Sequence, residues 1–376
     1  MIIGIDGRAA LWYRGTGIGT YVYQLIHKIR ELDRKNRYYV LFPQDSNYSL
    51  IEGDEFNRGM KGCLRKDRFW EELQLKEVIL DFDKYTDIYH IPQNGIGMPN
   101  QKSCSFVITL HDVIPITMPE TVGPYYREKF IESIPHIIER TDAIITVSEF
   151  SKKDICKELG VSPQMVHVTK LSAEDIYVPM DKVSAKRYIR NKYDIEKDFF
   201  LYVGGFNQRK NIPSLLMAYA YIKNKLRKPF NIVILGKQGP SYNDLIKLCE
   251  DLNIRSDCIF TGYIPVPDMP YFYNAAEVFV YPSLYEGFGL PLVEAMACGT
   301  PVVTSDITSI PEVVGDAAIK VCPKDYEAIG NNLLRLIEND GLYAEMSKKA
   351  LERAALYSWD KTAAETLEVY KGVRLE

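Results

Sequence analysis

Short β-branched runs alternate with amphipathic stretches along this chain, and the alternation starts twice. Residues 2–5, 38–42, 88–91, 106–110 and 142–147 read as strands, with helical patterns near 18–33, 69–80, 124–139 and 149–159. Such a rhythm implies a mostly parallel sheet covered by helices. After a charged, weakly patterned segment at 172–197 it begins again, with strands expected at 199–203, 230–235, 277–281 and 301–304 and helices near 210–225, 241–252, 290–298, 324–338 and 341–355. A length of 376 residues exceeds one ordinary core and suits two domains. We therefore expect an α/β protein with two doubly wound domains, residues 1–180 and 181–357. Open α/β sheets bind ligands outside the carboxyl ends of their strands, so the two parallel sheets should face a central cleft and the functional residues should follow strands.

Charge and cysteine usage narrow the function classes. A net charge of −4 and a pI near 5.9 provide no basic field for nonspecific nucleic-acid binding. Seven cysteines, none in a Cys-x-x-Cys spacing, read as small apolar residues of a reducing compartment. The opening Met1-Ile2-Ile3-Gly4-Ile5 has no basic flank and reads as a buried strand instead of a signal peptide. No apolar run reaches the roughly 20 residues that span a bilayer, so a cytoplasmic protein is expected. A basic stretch at 58–70, with Arg58, Lys61, Arg65, Lys66 and Arg68 before Phe69-Trp70, reads as a solvated loop or as peripheral contact with anionic lipid at the inner face of the membrane. Asp81-Phe82-Asp83 reads as a solvated helix end. With no His, Cys and Asp cluster at ligand spacing, neither a metal nor another cofactor is expected.

The chemistry concentrates after predicted strands. Val278-Phe279-Val280-Tyr281 leads into a loop that carries Glu286, then Gly287-Phe288-Gly289-Leu290-Pro291, and then Glu294. Pro291 opens a helix, which puts Glu294 about one turn inside it, near N–H groups that have no intrahelical acceptor. Helix starts of this kind favour anions, and the glycines admit close approach of a ligand. Taken singly, either acid could also just complement the helix dipole. Leu201-Tyr202-Val203-Gly204-Gly205 runs into Arg209-Lys210 at a second helix start, which suits a diphosphate. His111 and Asp112 follow Phe106-Val107-Ile108-Thr109-Leu110 at the edge of the first sheet. Gly15-Thr16-Gly17-Ile18-Gly19 opens another helix, but its spacing and its distance from the strand disfavour a nicotinamide fingerprint. Ser148 reads as an N-cap or as an acceptor-side contact.

In order, Pro282-Ser283, Glu286, Gly-Phe-Gly-Leu-Pro, Glu294, Ala295-Met296-Ala297, Gly299 and Pro301-Val302-Val303 resemble the donor-site signature of retaining nucleotide-sugar glycosyltransferases of family 4. The resemblance implies the GT-B fold, two Rossmann-like domains, with the stretch after Tyr357, residues 358–376, forming a last helix that returns to the N-terminal domain. It further implies that Arg209 and Lys210 contact the donor phosphates. Glu286 would bind hydroxyls of the donor sugar, Phe288, Gly289 and Leu290 would offer backbone N–H groups, and Glu294 would hold the ribose. Ile264 would lie where backbone reads the base, and Gly17 where backbone approaches the donor. His111 would approach the transferred sugar and stabilise charge in the transition state, with Asp112 as an orienting neighbour. The partners implied are a nucleoside diphosphate sugar and a glycan or lipid-linked acceptor. The N-terminal motifs look most like mannosyl- and rhamnosyl-type enzymes of bacterial surface polysaccharide assembly, which favours GDP-mannose, and the family implies a front-face route. Two other functions weighed are a nucleotide-sugar epimerase of the same fold and a non-catalytic sugar-nucleotide-binding subunit.

Overall fold

The structure, a computed structural model, describes residues 1–43, 57–60, 86–239 and 241–373. It divides into two compact units, Met1–Leu171 with Ser358–Glu376, and Ser172–Tyr357. The division at 171 lies short of the boundary at 180 read from the sequence.

In the first unit, seven described strands form one parallel sheet. These are β1 (Ile2–Asp6), β2 (Arg37–Pro43), β3 (Asn57–Met60), β4 (Ile88–Ile91), β5 (Ser105–Thr109), β6 (Ala143–Thr146) and β7 (Val166–Val168). Their order is β3-β2-β1-β4-β5-β6-β7, so the winding reverses between β1 and β4. Central strands are buried on both faces and mostly apolar because helices cover both; β4 and β6 are buried along their whole length. The helix Pro124–Arg140 begins with proline at its first position and presents Phe130, Ile134 and Ile137 as one buried stripe. These side chains join Tyr89, Phe106, Ile108 and Ile144 in a single core. Each contributes about 1.5–3 kcal/mol by leaving water. The helix Trp359–Val373 packs on the helix Gly17–Leu32 in this unit. A buried polar chain fixes that seat: His90 Nδ1 meets Tyr370 Oη at 2.7 Å, His90 Nε2 meets Thr109 Oγ1 at 2.8 Å, and Tyr21 Oη meets the same Thr109 hydroxyl at 2.9 Å.

The second unit has a parallel sheet of six described strands: β8 (Asp198–Val203), β9 (Phe230–Leu235), β10 (Cys258–Gly262), β11 (Val278–Tyr281), β12 (Val302–Ser305) and β13 (Ile319–Val321). The order β10-β9-β8-β11-β12-β13 reverses between β8 and β11, so the loops that leave those two strands flank one crevice.

Four strands were not read from the sequence: β3, β7, β10 and β13. All four are sheet edges. The segment at 172–197, read as weakly patterned, contains the helix Lys182–Tyr193, whose buried face is only Ala185 and Ile189. The helix Met269–Ala275 was also unread. The helix expected at 69–80, the Asp81-Phe82-Asp83 segment and all but the backbone of β3 in the basic stretch at 58–70 lie outside the described residues.

Candidate functional site

The loops after β8 and β11 are stitched together by backbone and side chain. Leu284 N donates to Arg209 O at 2.7 Å, and Arg209 Nη1 donates to Tyr285 O at 2.6 Å. Asn211, in the left-handed region at φ 54°, donates through Nδ2 to Pro282 O at 3.0 Å and Pro323 O at 2.7 Å. Asparagine tolerates that backbone better than most residues, so Asn211 both ends the turn Gln208–Lys210 and ties it to the neighbouring loop. On the other side, Ser309 Oγ donates to Glu286 O at 2.8 Å and Phe288 O at 3.2 Å, and Glu286 N donates to Thr308 Oγ1 at 3.3 Å.

This scaffold brings three of the expected residues into direct contact. Glu286 Oε2 lies 3.0 Å from Arg209 Nη1, and Glu286 Oε1 accepts from Lys210 Nζ at 2.7 Å. The Lys210 ammonium also donates to Tyr281 Oη at 2.6 Å. Beneath it, the fully buried rings of Tyr281 and Tyr202 stack at 6.2 Å and 21°. Glu286 is only 6% exposed. Burial pushes its carboxyl up, but the Arg209 and Lys210 charges outweigh that and hold it down at about 2. The carboxylate is therefore ionised, and the triad carries one net positive charge in a nearly water-free corner. Charge-assisted contacts of this kind give anion recognition its strength.

Glu294 stands about one turn into the helix Leu290–Ala297 and is buried. Tyr273 Oη donates to its Oε2 at 2.7 Å. Gly289 begins that helix at φ +97°, and a Cβ there would meet Leu292 Cδ1 at 2.9 Å. The backbone conformation is the stronger constraint here, since a positive φ disfavours any side chain while the Leu292 methyl could give way. Phe288 and Leu290 bury their side chains on either side of it, and the Phe288 ring meets Tyr357 edge to face at 5.8 Å. Ile264 lies two strands from β8, on the loop after β10, with its side chain buried. Its neighbour Tyr263 is 64% exposed.

His111 and Gly17 belong to the first unit. His111 follows β5 and Leu110. Its backbone N–H donates to Asn94 Oδ1 at 2.9 Å, and its Nε2 lies 3.0 Å from Pro92 O. A carbonyl only accepts, so Nε2 carries a proton. Burial lowers the imidazole to about 4, partly offset by that bond to Pro92. His111 is thus neutral near pH 7, and Nδ1 is an acceptor. Tyr21 packs against the ring edge to face at 4.9 Å and 88°. Asp112 Oδ1 accepts from Ile114 N at 3.1 Å, and Pro92, Asn94 and Tyr21 each contact His111. In the glycine loop, Gly19 is the residue that packing demands: a Cβ there would fall 1.9 Å from Tyr13 O, while one on Gly17 meets nothing within 4 Å. Thr16 Oγ1 caps this helix through Gly19 N at 3.2 Å. Ser148 Oγ likewise caps the helix Glu149–Leu159, accepting from Ser151 N at 2.9 Å.

Sequence reasoning missed Tyr281, Tyr273, Asn211, Thr308 and Ser309, which hold the charged groups in place. Only Asn211, directly after the Arg-Lys pair, had a signal in its position. Among the described residues, no group of three or more His, Cys, Asp or Glu side chains is arranged to hold a metal ion, and no helix is long and apolar enough to cross a membrane.

Residues 186–353 match the family model of Glycosyl transferases group 1, and residues 15–170 match that of Glycosyltransferase Family 4. The O-antigen chain mannosyltransferase B of Escherichia coli is 32% identical over 375 residues, which is 96% of this chain and 97% of that one. Among solved structures, sucrose-phosphate synthase from Thermosynechococcus elongatus superposes with a TM-score of 0.75 at 20% identity, covering 99% of this chain and 98% of the other. HepE from Anabaena, solved with UDP and glucose, does so with a TM-score of 0.74 at 17% identity, covering 98% of this chain and 99% of the other. The two structures share the fold, and the mannosyltransferase is similar along nearly its full length. The chain belongs to glycosyltransferase family 4 and is a glycosyltransferase of the GT-B fold.

Proposed function

We propose that the enzyme transfers mannose from GDP-mannose to a hydroxyl of a glycan or lipid-linked acceptor in the assembly of a surface polysaccharide, and that the anomeric configuration is retained. The observation that carries the reading is Glu286 bound on each oxygen by a cation, beside the crevice where the second sheet reverses. Negative charge accumulates on the departing nucleoside diphosphate, and fixed cations lower the barrier most where charge develops. In this reading Arg209 and Lys210 receive the diphosphate, Glu286 accepts from donor sugar hydroxyls through its remaining lone pairs, and Glu294 takes the ribose. The loop from Phe288 to Leu290 offers N–H groups at the helix start.

Retention by double displacement needs a carboxylate free to attack the anomeric carbon. Glu286 is the acid nearest the cations, and both its oxygens are already engaged, which makes it a poor nucleophile. That supports the front-face route, in which the leaving phosphate takes the proton of the acceptor hydroxyl. His111 then acts as a neutral hydrogen-bonding group toward the transferred sugar, through Nδ1, and not as an imidazolium. The choice of mannose and of a polysaccharide acceptor rests on the relative's name, O-antigen chain mannosyltransferase B. A melting-temperature panel of GDP, UDP, ADP and their sugars tests the donor, because a nucleotide that binds only the folded state raises its stability. GDP and GDP-mannose are expected to give the largest rise; a larger rise with UDP or ADP would remove GDP-mannose from the account.

A further inference from the structure

Tyr273 lies outside every sequence motif of the donor site, yet it stands directly behind Glu294. It sits on the helix Met269–Ala275, fully buried, and its hydroxyl donates to Glu294 Oε2 at 2.7 Å. Two aromatic neighbours fix its ring: Tyr177 at 5.7 Å and 71°, and Phe279 at 5.4 Å and 71°. Both are in the edge-to-face arrangement that aromatic pairs prefer. Its backbone is pinned too, since Thr300 Oγ1 donates to Tyr273 O at 2.7 Å and Thr300 N donates to Ala295 O at 3.0 Å. The loop that ends the Glu294 helix therefore grips the helix that carries Tyr273. Burial and the neighbouring Glu294 charge push the Tyr273 phenol well above its ordinary value, so it stays a donor.

Packing explains the ring but not the hydroxyl. A phenylalanine would fill the same space without placing a polar atom in the core, where a hydroxyl costs stability unless paired. The partner it has is a carboxylate with several torsions to fix. We infer that Tyr273 is a positioning residue for the donor: its hydroxyl holds the Glu294 carboxylate in the rotamer that meets the ribose diol of the nucleotide. The inference rests on the reading of Glu294 as the ribose ligand.

The test is calorimetric titration of wild type, Tyr273→Phe and Glu294→Ala with GDP, UDP and ADP, each beside its 2′,3′-dideoxy counterpart. Removing one hydrogen bond to a charged group should weaken binding of the ribose-bearing nucleotide about tenfold in Tyr273→Phe, and leave the dideoxy nucleotide unchanged. In turnover the same variant should raise the donor KM at nearly constant kcat, the pattern of lost binding and not lost chemistry. A merely structural tyrosine would weaken both nucleotides alike or neither. Either result, with Glu294→Ala weakening the ribose nucleotide and sparing its dideoxy counterpart, would overturn the positioning role alone. If Glu294→Ala keeps the wild-type preference for ribose over dideoxyribose, or if none of the three nucleotides binds wild type, the ribose reading itself falls and the inference falls with it.

Discussion

Replacing Glu286 with glutamine isolates what its charge does. The amide keeps nearly the same volume and one acceptor oxygen, but Arg209 and Lys210, whose side chains are 14% and 12% exposed, lose their counter-ion. A carboxyl held from 4.5 down to about 2 in the folded protein corresponds, at about 1.4 kcal/mol per pH unit, to about 3 kcal/mol of favourable interaction. Breaking a buried ion pair on one side typically costs about 3–5 kcal/mol, and the two figures agree. For a unit of this size the loss should lower its melting temperature by about 6–12 °C, with the protein still folded at 25 °C. The sign of the pH dependence follows from a depressed carboxyl. The stabilisation is present above about 4.5 and is lost as pH falls through about 2, so the variant's acid limb should be flatter than that of wild type. The diphosphate of GDP supplies the missing negative charge, so GDP should raise the melting temperature of Glu286→Gln by more than it raises that of wild type, while transfer is lost. Differential scanning calorimetry across pH, with and without GDP, reads the three stability effects, and a transfer assay reads the fourth. An unchanged melting temperature in the apo protein, or a smaller rise with GDP than in wild type, would refute the argument that Glu286 is the resident counter-ion of the phosphate cations.

Two further expectations follow from the same geometry. Lys210→Ala should abolish transfer in a protein whose circular dichroism is that of wild type, since it removes a cation from the leaving group; wild-type turnover would defeat the assignment. In the first unit, burial holds His90 at about 3 and His111 at about 4, well below 6.5. Both are therefore bound in the neutral form, which contributes stability above about pH 6.5 that is lost as pH falls toward 4 and then 3. His111→Gln should make the fall of melting temperature between pH 6.5 and 4 shallower; an unaltered slope would contradict the buried neutral imidazole.

What the sequence displayed and what it hid separate along physical lines. Strands in the middle of each sheet, such as Val278–Tyr281 and Phe230–Leu235, are buried throughout and mostly apolar because both faces are covered, and they stood out as runs. The unread strands are edges, paired on one side only. Val166-His167-Val168 and Ile319-Lys320-Val321 are three residues long with a polar side chain facing out, too short and too mixed to separate from loop. The helix Lys182–Tyr193 buries one alanine and one isoleucine, so its sequence is dominated by solvated charge. The order of strand, glycine loop and helix was legible around Glu286 and Glu294 because local backbone chemistry dictates it. The pairing of Glu286 with Lys210, 76 positions apart, is a product of sheet order and has no local signature. Nor does Tyr273, whose only mark in the sequence is an aromatic residue in a short apolar segment.

The most direct measurement follows anomeric protons by NMR while GDP-mannose is incubated with the enzyme, first alone and then with a mannose-terminated oligosaccharide carried on a lipid tag. The account predicts that GDP-mannose persists without acceptor, and that adding acceptor yields GDP together with an α-linked mannosyl product. Epimerised sugar in the absence of acceptor, a β-linked product, or binding without turnover would each contradict it.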